Sequence, residues 1–306
     1  MQSFHNRDII SIRDFSKEEI LHILETAKKF KQKAFPTMLK NKILASLFFE
    51  PSTRTRFSFE SAMQRLGGSI ISLADAKASA AVKGESVSDS IKIVEKYCDV
   101  IVMRHSLEGS ARLAGEVSSN PIINGGDGAN QHPTQTFLDL FSILETQGTL
   151  AKLNVAIVGD LKYGRTTHSL AYALGLFKSK LHFVAPLALQ MPKYVIRELK
   201  KIKAKFSFHQ RPEPIMSKLD IFYATRIQKE RFPDPLEYEK VKDAYIITNQ
   251  LLTKVKKKFR ILHPLPRVNE INYEVDDTPY AYYFEQANNG LYVREALLAL
   301  VLGKVK

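Results

Sequence analysis

Short apolar runs alternate with amphipathic segments along most of the chain, and this alternation narrows the fold more than any other feature. KILASLFF (42–49) suits a buried strand. RFSFESAMQRL then places Phe59, Met63 and Leu66 on one helical stripe, and Gly67-Gly68 stops it. The pattern returns in SIISL, a helix from about Val87 to Tyr97, and DVIVMR. It runs a second time through LNVAIVGD, a helix to about Phe177, KLHFVAP, a helix from Pro192, and LDIFYAT. Such alternation predicts an α/β fold with doubly wound parallel sheets covered by helices on both faces.

At 306 residues the chain exceeds the usual size of one hydrophobic core, so two domains are expected. Ser16, with Glu19 three residues on, forms a capping box, and Ile20, Leu21, Ile23, Leu24, Ala27 and Phe30 give the helix behind it its spacing. PTQTFLDLFSILETQ (133–147) reads as one long helix ending at Gly148, and the domain junction is expected on it. The last helix, within EQANNGLYVREALLALVLG, ends in a strongly apolar face suited to packing back on the first domain. The expected division is therefore 1–133 plus 287–306 against 134–286, two parallel-sheet domains joined by long helices.

Composition excludes several classes. With 44% hydrophobic residues and no low-complexity tract, nothing points to disorder or a fibre. The segment MQSFHNRDIISIRDF carries charges where a signal peptide needs an apolar stretch, and no apolar run approaches ~18 residues, so no membrane partner is expected. Cys98 is the single cysteine, which fits a reducing, cytoplasmic setting. The net charge of +13 raises the question of nucleic acid, with clusters at 200–205 (KKIKAK) and 254–260 (KVKKKFR). Both clusters sit where helices or helix ends are expected, so solvated faces are the plainer reading and no nucleic acid is expected. A positive field would also concentrate a small anionic substrate.

Within FFEPSTRTRFSFE (48–60), residues 52–56 set three hydroxyls and two guanidiniums behind a strand. In open α/β sheets, ligands bind at the carboxyl ends of strands, where unpaired N–H groups of a helix's first turn and its dipole favour an anion. Ser52 or Thr53 could merely cap the helix. Five consecutive donor side chains exceed what a cap needs, which points to an oxyanion site. No GxxxxGK[ST] is present, so this is not a nucleotide P-loop, and VAIVGDLKYGR lacks the GxGxxG of a dinucleotide site.

Here the residues carry a resemblance. FFEPSTRTRFSFESAMQRLGG resembles the carbamoyl-phosphate signature of the aspartate and ornithine carbamoyltransferases. HPTQTFLDL, GDLKYGRTTHSL, RIQKERF, HPLPR and NGLYVREALL follow in that family's order across nearly the whole chain. The second substrate must be separated by charge: aspartate brings two carboxylates and calls for two guanidiniums, whereas ornithine brings a cationic tail. Arg165 in GDLKYGR and Arg226 in DIFYATRIQ follow strand ends, and both segments resemble the aspartate branch. The ornithine branch typically carries a cysteine in HCLP, where this chain reads His263-Pro264-Leu265-Pro266.

The resemblance implies transfer of the carbamoyl group from carbamoyl phosphate to the α-amine of L-aspartate, giving N-carbamoyl-L-aspartate and phosphate, a step of de novo pyrimidine biosynthesis. An ornithine or other amine carbamoyltransferase is the alternative within the family, and a basic nucleic-acid-binding protein the alternative outside it. By resemblance, Ser52, Thr53, Arg54 and Thr55 hold the phosphate and Arg104 bridges phosphate and carbonyl oxygen, with Thr55 and His132 joining Arg104 around the oxyanion. Gln135 and the backbone carbonyls of Pro264 and Leu265 correspond to the contacts with the carbamoyl NH2. Arg165 is assigned the α-carboxylate, Arg226 the β-carboxylate, Gln228 the same pocket, and Glu50 the orientation of these arginines. No cofactor and no metal are implied; His132 lies near no HExxH or cysteine pair.

The loop ADAKASAAVKGES (74–86) reads as a mobile segment from its small and polar residues. In the family a serine and a lysine of this loop enter the neighbouring subunit's site, which matches Ser79 and Lys83, with Lys83 reaching both substrates. Many relatives carry a second lysine where this chain has Val82. A homotrimer with shared active sites is therefore expected, and a regulatory chain is left open.

Overall fold

The computed structural model describes residues 3–73, 84–227, 234–241 and 244–305. Ser79, Lys83 and Gln228 lie outside the described residues. The chain forms two compact units, residues 1–138 with 288–306, and residues 139–287.

The first unit is built on a four-stranded parallel sheet in the order β2-β1-β3-β4, with β1 at Ile43–Phe48, β2 at Ser69–Leu73, β3 at Val100–His105 and β4 at Ile122–Asp127. Helix α1 (Lys17–Gln32) starts at the expected capping box: Ser16 Oγ accepts from Glu19 N–H, and the Glu19 carboxylate accepts from Ser16 N–H. Its Ile20, Ile23, Leu24, Ala27 and Phe30 are buried, the stripe that 3.6 residues per turn demands. Helix α2 (Thr53–Arg65) follows β1 and buries Phe59 and Met63. Each large side chain fully buried in this way contributes about 1.5–3 kcal/mol. Helices α3 (Val87–Val94) and α4 (Ser110–Val117) complete the crossovers, and Ala45, Leu47, Ile91, Ile101, Met103, Ala111 and Ile122 pack into one core.

Helix α5 (Pro133–Gln147) contains the division of the chain. The second unit holds a five-stranded parallel sheet, β7-β6-β5-β8-β9, with β5 at Asn154–Val158, β6 at Lys180–Val184, β7 at Lys205–His209, β8 at Ile221–Ala224 and β9 at Arg260–Leu262. Helix α6 (Arg165–Leu176) lies between β5 and β6, α7 (Lys193–Lys201) between β6 and β7, a 3-10 turn (Glu213–Lys218) between β7 and β8, and the short α8 (Pro235–Glu239) between β8 and β9. Within this unit the buried Asp139 of α5 accepts from Tyr223 Oη at 2.8 Å and Gln286 Nε2 at 2.6 Å. Helix α9 (Tyr283–Val301) closes the chain, and its residues from 288 belong to the first unit. There Arg65 Nε meets Glu295 at 2.8 Å, and Asn6 N–H donates to Val301 O at 2.9 Å.

In both sheets the chain leaves a central strand for one side and later returns to the other, so β1/β3 and β5/β8 are the switch points. Ligands of doubly wound folds bind beyond the carboxyl ends of such strands. Three regions depart from the sequence reading. β4 and β7 were not expected, and KVKKKFR, read as helix or helix end, runs as a loop into the edge strand β9 after a 3-10 turn at Asn249–Leu252. No helix among the described residues is long and apolar enough to cross a membrane.

Candidate active site

The first unit brings its expected residues to the β1/β3 switch point. Ser52 occupies the N-cap of α2 in extended conformation, yet its side chain makes no capping hydrogen bond. The plain capping role is thus not the one its hydroxyl fills. No acidic residue lies in the first turn, so nothing of this helix's own offsets the positive end of its dipole. Thr53 and Arg54 are exposed and Thr55 is buried. The second guanidinium of the stretch behaves differently: Arg56 Nε bonds Glu60 Oε1 at 2.9 Å, and that carboxylate oxygen also accepts from Ser46 and Ser72. Arg56 is a structural arginine.

Arg104 stands at the end of β3, its Nη1 donating to Gly125 O at 3.2 Å and its Nη2 2.9 Å from Glu50 Oε2. Glu50 therefore pairs with Arg104, an arginine expected at the phosphate, a pairing the sequence reading did not make. His132 is buried, with Nε2 3.4 Å from Thr55 Oγ1 and Nδ1 3.5 Å from Thr134 Oγ1. Gln135 lies one helical turn on, its N–H donating to His132 O at 3.1 Å.

What holds His132 in place was missed from sequence. Asp127, at the end of β4 and 1% exposed, accepts from Gly109 N–H, Asn130 Nδ2, Gln131 N–H and Asn124 Nδ2, all at 2.9–3.0 Å. Asn124 in turn donates to Ile10 O and accepts from Gly126 N–H. A buried carboxylate fed by four donors fixes the loop that delivers His132. The only sequence signal was an aspartate between glycines just ahead of NQHP.

In the second unit, Arg165 opens α6 after β5 and Arg226 follows β8, both half-buried. Between these strand ends the backbones nearly touch. A Cβ on Gly159, which sits at φ +116°, would lie 2.2 Å from Thr225 O, so only glycine fits. Asp160 is fully buried and accepts from Lys162 and Tyr163 N–H at 3.1 and 2.9 Å, shaping the turn before Arg165.

The HPLP segment has its own organiser. His263 Nδ1 accepts from Leu265 N–H at 2.8 Å, which puts the ring proton on Nε2, 2.7 Å from Glu270 Oε1. Burial alone would raise the Glu270 carboxyl; the His263 hydrogen bond and backbone N–H donors outweigh it and hold it below its ordinary value. Leu265 is held at φ +54°, a left-handed conformation that a leucine keeps only where its surroundings impose it. Pro264 and Leu265 are half-buried. Among the described residues, no three His, Cys, Asp or Glu side chains gather to hold a metal.

Comparison with known proteins gives one answer over both units. The carbamoyl-P binding domain of the aspartate/ornithine carbamoyltransferases matches residues 7–145, and the family's Asp/Orn binding domain matches residues 151–301. The aspartate carbamoyltransferase catalytic subunit 2 of Shewanella halifaxensis is 58% identical over 301 residues, 98% of this chain and 97% of that protein. The aspartate transcarbamoylase catalytic subunit of M. jannaschii superposes with a TM-score of 0.90 at 51% identity, covering 97% of this chain and 98% of that one. The Trypanosoma cruzi aspartate transcarbamoylase, solved in complex with carbamoyl phosphate and aspartate, superposes at 0.92 with 36% identity over 98% of each chain. The chain belongs to the aspartate/ornithine carbamoyltransferase family.

Proposed function

We propose that the chain is an aspartate carbamoyltransferase: it transfers the carbamoyl group of carbamoyl phosphate to the α-amine of L-aspartate, releasing phosphate, as a step of pyrimidine biosynthesis. The observation that carries this reading is the α2 N-terminus. Its N-cap hydroxyl is not spent on capping, its first turn has no acid, and Arg104 and His132 belong to the same unit. A dianionic phosphate suits such a place, because backbone N–H groups, the helix dipole and a guanidinium all favour negative charge. Relatives named for aspartate support the choice of second substrate.

The phosphate-binding part is assigned to 1–133 with 287–306, and the aspartate-binding part to 134–286. Ser52, Thr53, Arg54 and Thr55 bind phosphate, and Arg104 bridges it to the carbonyl oxygen. As the amine attacks the carbamoyl carbon, negative charge grows on that oxygen, where Arg104, Thr55 and His132 donate. Gln135 and the carbonyls of Pro264 and Leu265 accept from the carbamoyl NH2. Arg165 takes the α-carboxylate and Arg226 the β-carboxylate, with Gln228 beside it. The departing phosphate accepts the amine's proton, since no residue assigned to the site is an obvious general base. Ser79 and Lys83 act in the neighbouring subunit of a cytoplasmic homotrimer.

An amine panel tests this. Phosphate release from carbamoyl phosphate should depend on L-aspartate and not on L-ornithine; equal or faster turnover with ornithine would overturn the assignment.

A further inference from the structure

All five strands of the second unit run parallel, so their entries share one edge, opposite the edge that carries Arg165 and Arg226. The segments entering them (149–154, 177–180, 201–205, 217–221 and 253–260) hold twelve Lys or Arg and one carboxylate, Asp220. The entries to the first unit's strands (38–43, 66–69, 98–100 and 118–122) hold two lysines and one aspartate, and Lys42 there pairs with Asp99 at 2.6 Å. In the second unit's entry segments Asp220 is the one carboxylate set against twelve cations; it pairs with Lys256, and its other oxygen accepts from Asn154 N–H.

At three of these lysines the backbone takes a conformation that is locally unfavourable to lysine. Two residues before β1 and β2 the chain turns through left-handed φ at Asn41 (64°) and Gly67 (82°), the residue types this conformation prefers. Two residues before β5, β6 and β7 it does the same at Lys152 (61°), Lys178 (60°) and Lys203 (54°). Lys180 and Lys205 are register partners, which sets like charges side by side. The dipole of a preceding helix C-terminus favours a cation at Lys178 and Lys203, and Lys178 Nζ also donates to Ile202 O. It accounts for neither Lys152, five residues past the end of α5, nor the strand residues Lys180 and Lys205. All five of these lysines are exposed.

We propose that this strand-entry edge is a docking surface for an acidic segment of a protein partner. Five strands at about 4.8 Å span about 19 Å, the length of roughly six extended residues. Eleven of the twelve cations are lysines, mobile point charges that pair with any carboxylate and lack the guanidinium fork suited to phosphates. The aromatic residues of these segments, Phe177 and Phe259, are buried, so no platform for stacking bases is offered.

The test uses the full chain and K152G/K180Q/K203G/K205Q, four changes that each relieve a local cost. The probe is a fluorescein-labelled peptide of about 20 glutamates, followed by anisotropy at about 50 and about 200 mM NaCl. Wild type should bind with an affinity that falls steeply with salt, and the variant should bind at least about tenfold more weakly. Its thermal midpoint should stay or rise, and its turnover should stay. A falling midpoint would mean that the lysines serve the fold, and unchanged peptide binding would mean that the edge is not the surface. Tighter binding of a random 20-base single-stranded DNA than of the peptide would make the partner a nucleic acid. Any of these outcomes overturns the proposal.

Discussion

Thr55 Oγ1 and His132 Nε2, 77 residues apart in sequence, lie 3.4 Å apart in the first unit. The contact ties the first turn of α2 to the loop that Asp127 fixes, so the proposed phosphate turn and the proposed oxyanion donor are placed by one network. Removing the imidazole should cost rate more than binding. His132→Ala is expected to lower turnover by roughly 10²–10³, as the loss of one oxyanion donor does. Inorganic phosphate affinity, read by competition, should change far less. A variant with near-normal turnover would take His132 out of the mechanism.

Arg226 is assigned to the β-carboxylate, a group that carbamoyl phosphate lacks. Arg226→Gln strips a bidentate partner from aspartate and leaves residues 52–55 untouched. The half-saturating aspartate concentration should therefore rise strongly while that of carbamoyl phosphate stays close to wild type. Equal losses for the two substrates would identify a structural arginine.

The parts legible in sequence share one property: their signal is local. β1, β3, β5 and β8 are apolar runs buried on both faces, the Ser16 cap is four residues long, and the hydroxyl-arginine turn stands behind a strand end. β4 escaped because IINGGD ends in glycines and polar residues that bond inside the fold, which removes the apolar pattern. β7 escaped because an edge strand is half-exposed and KFSFH mixes polar with aromatic residues. Asp127 and Glu270 were invisible for another reason. Their roles lie in partners brought together by topology, and a carboxylate buried by its donors looks in sequence like any surface acid.

Glu270 gives a pH-dependent prediction. Its carboxyl is held below its ordinary value, so the stability it contributes is present above the ordinary carboxylate pKa and is lost as pH falls through the depressed native one. Glu270→Gln keeps the shape and loses the charge at the His263 bond, which should cost about 1–3 kcal/mol at neutral pH. The deficit should shrink on acidification, because wild type then also carries an uncharged group. Urea unfolding of both proteins across a descending pH series checks this. A deficit constant over the series would mean that shape, not charge, supports the HPLP segment.

The proposed sharing of sites between chains rests on Lys83, which only an assembly experiment can reach. Arg54→Ala should inactivate the chain's own phosphate turn, and Lys83→Ala should inactivate the neighbour's site, so each variant alone should be dead. Dissociating the two, mixing them equally and reassembling them produces hybrids. A site is restored when an intact 52–55 turn meets an intact Lys83 from the adjacent chain. In a closed head-to-tail ring with random mixing, each condition is met half the time, so about a quarter of all sites should recover. Recovery near that fraction, with hybrid trimers seen by native mass measurement, supports a site completed in trans. If hybrids form and no activity returns, Lys83 serves its own chain or no site at all, and the trimer loses its catalytic rationale.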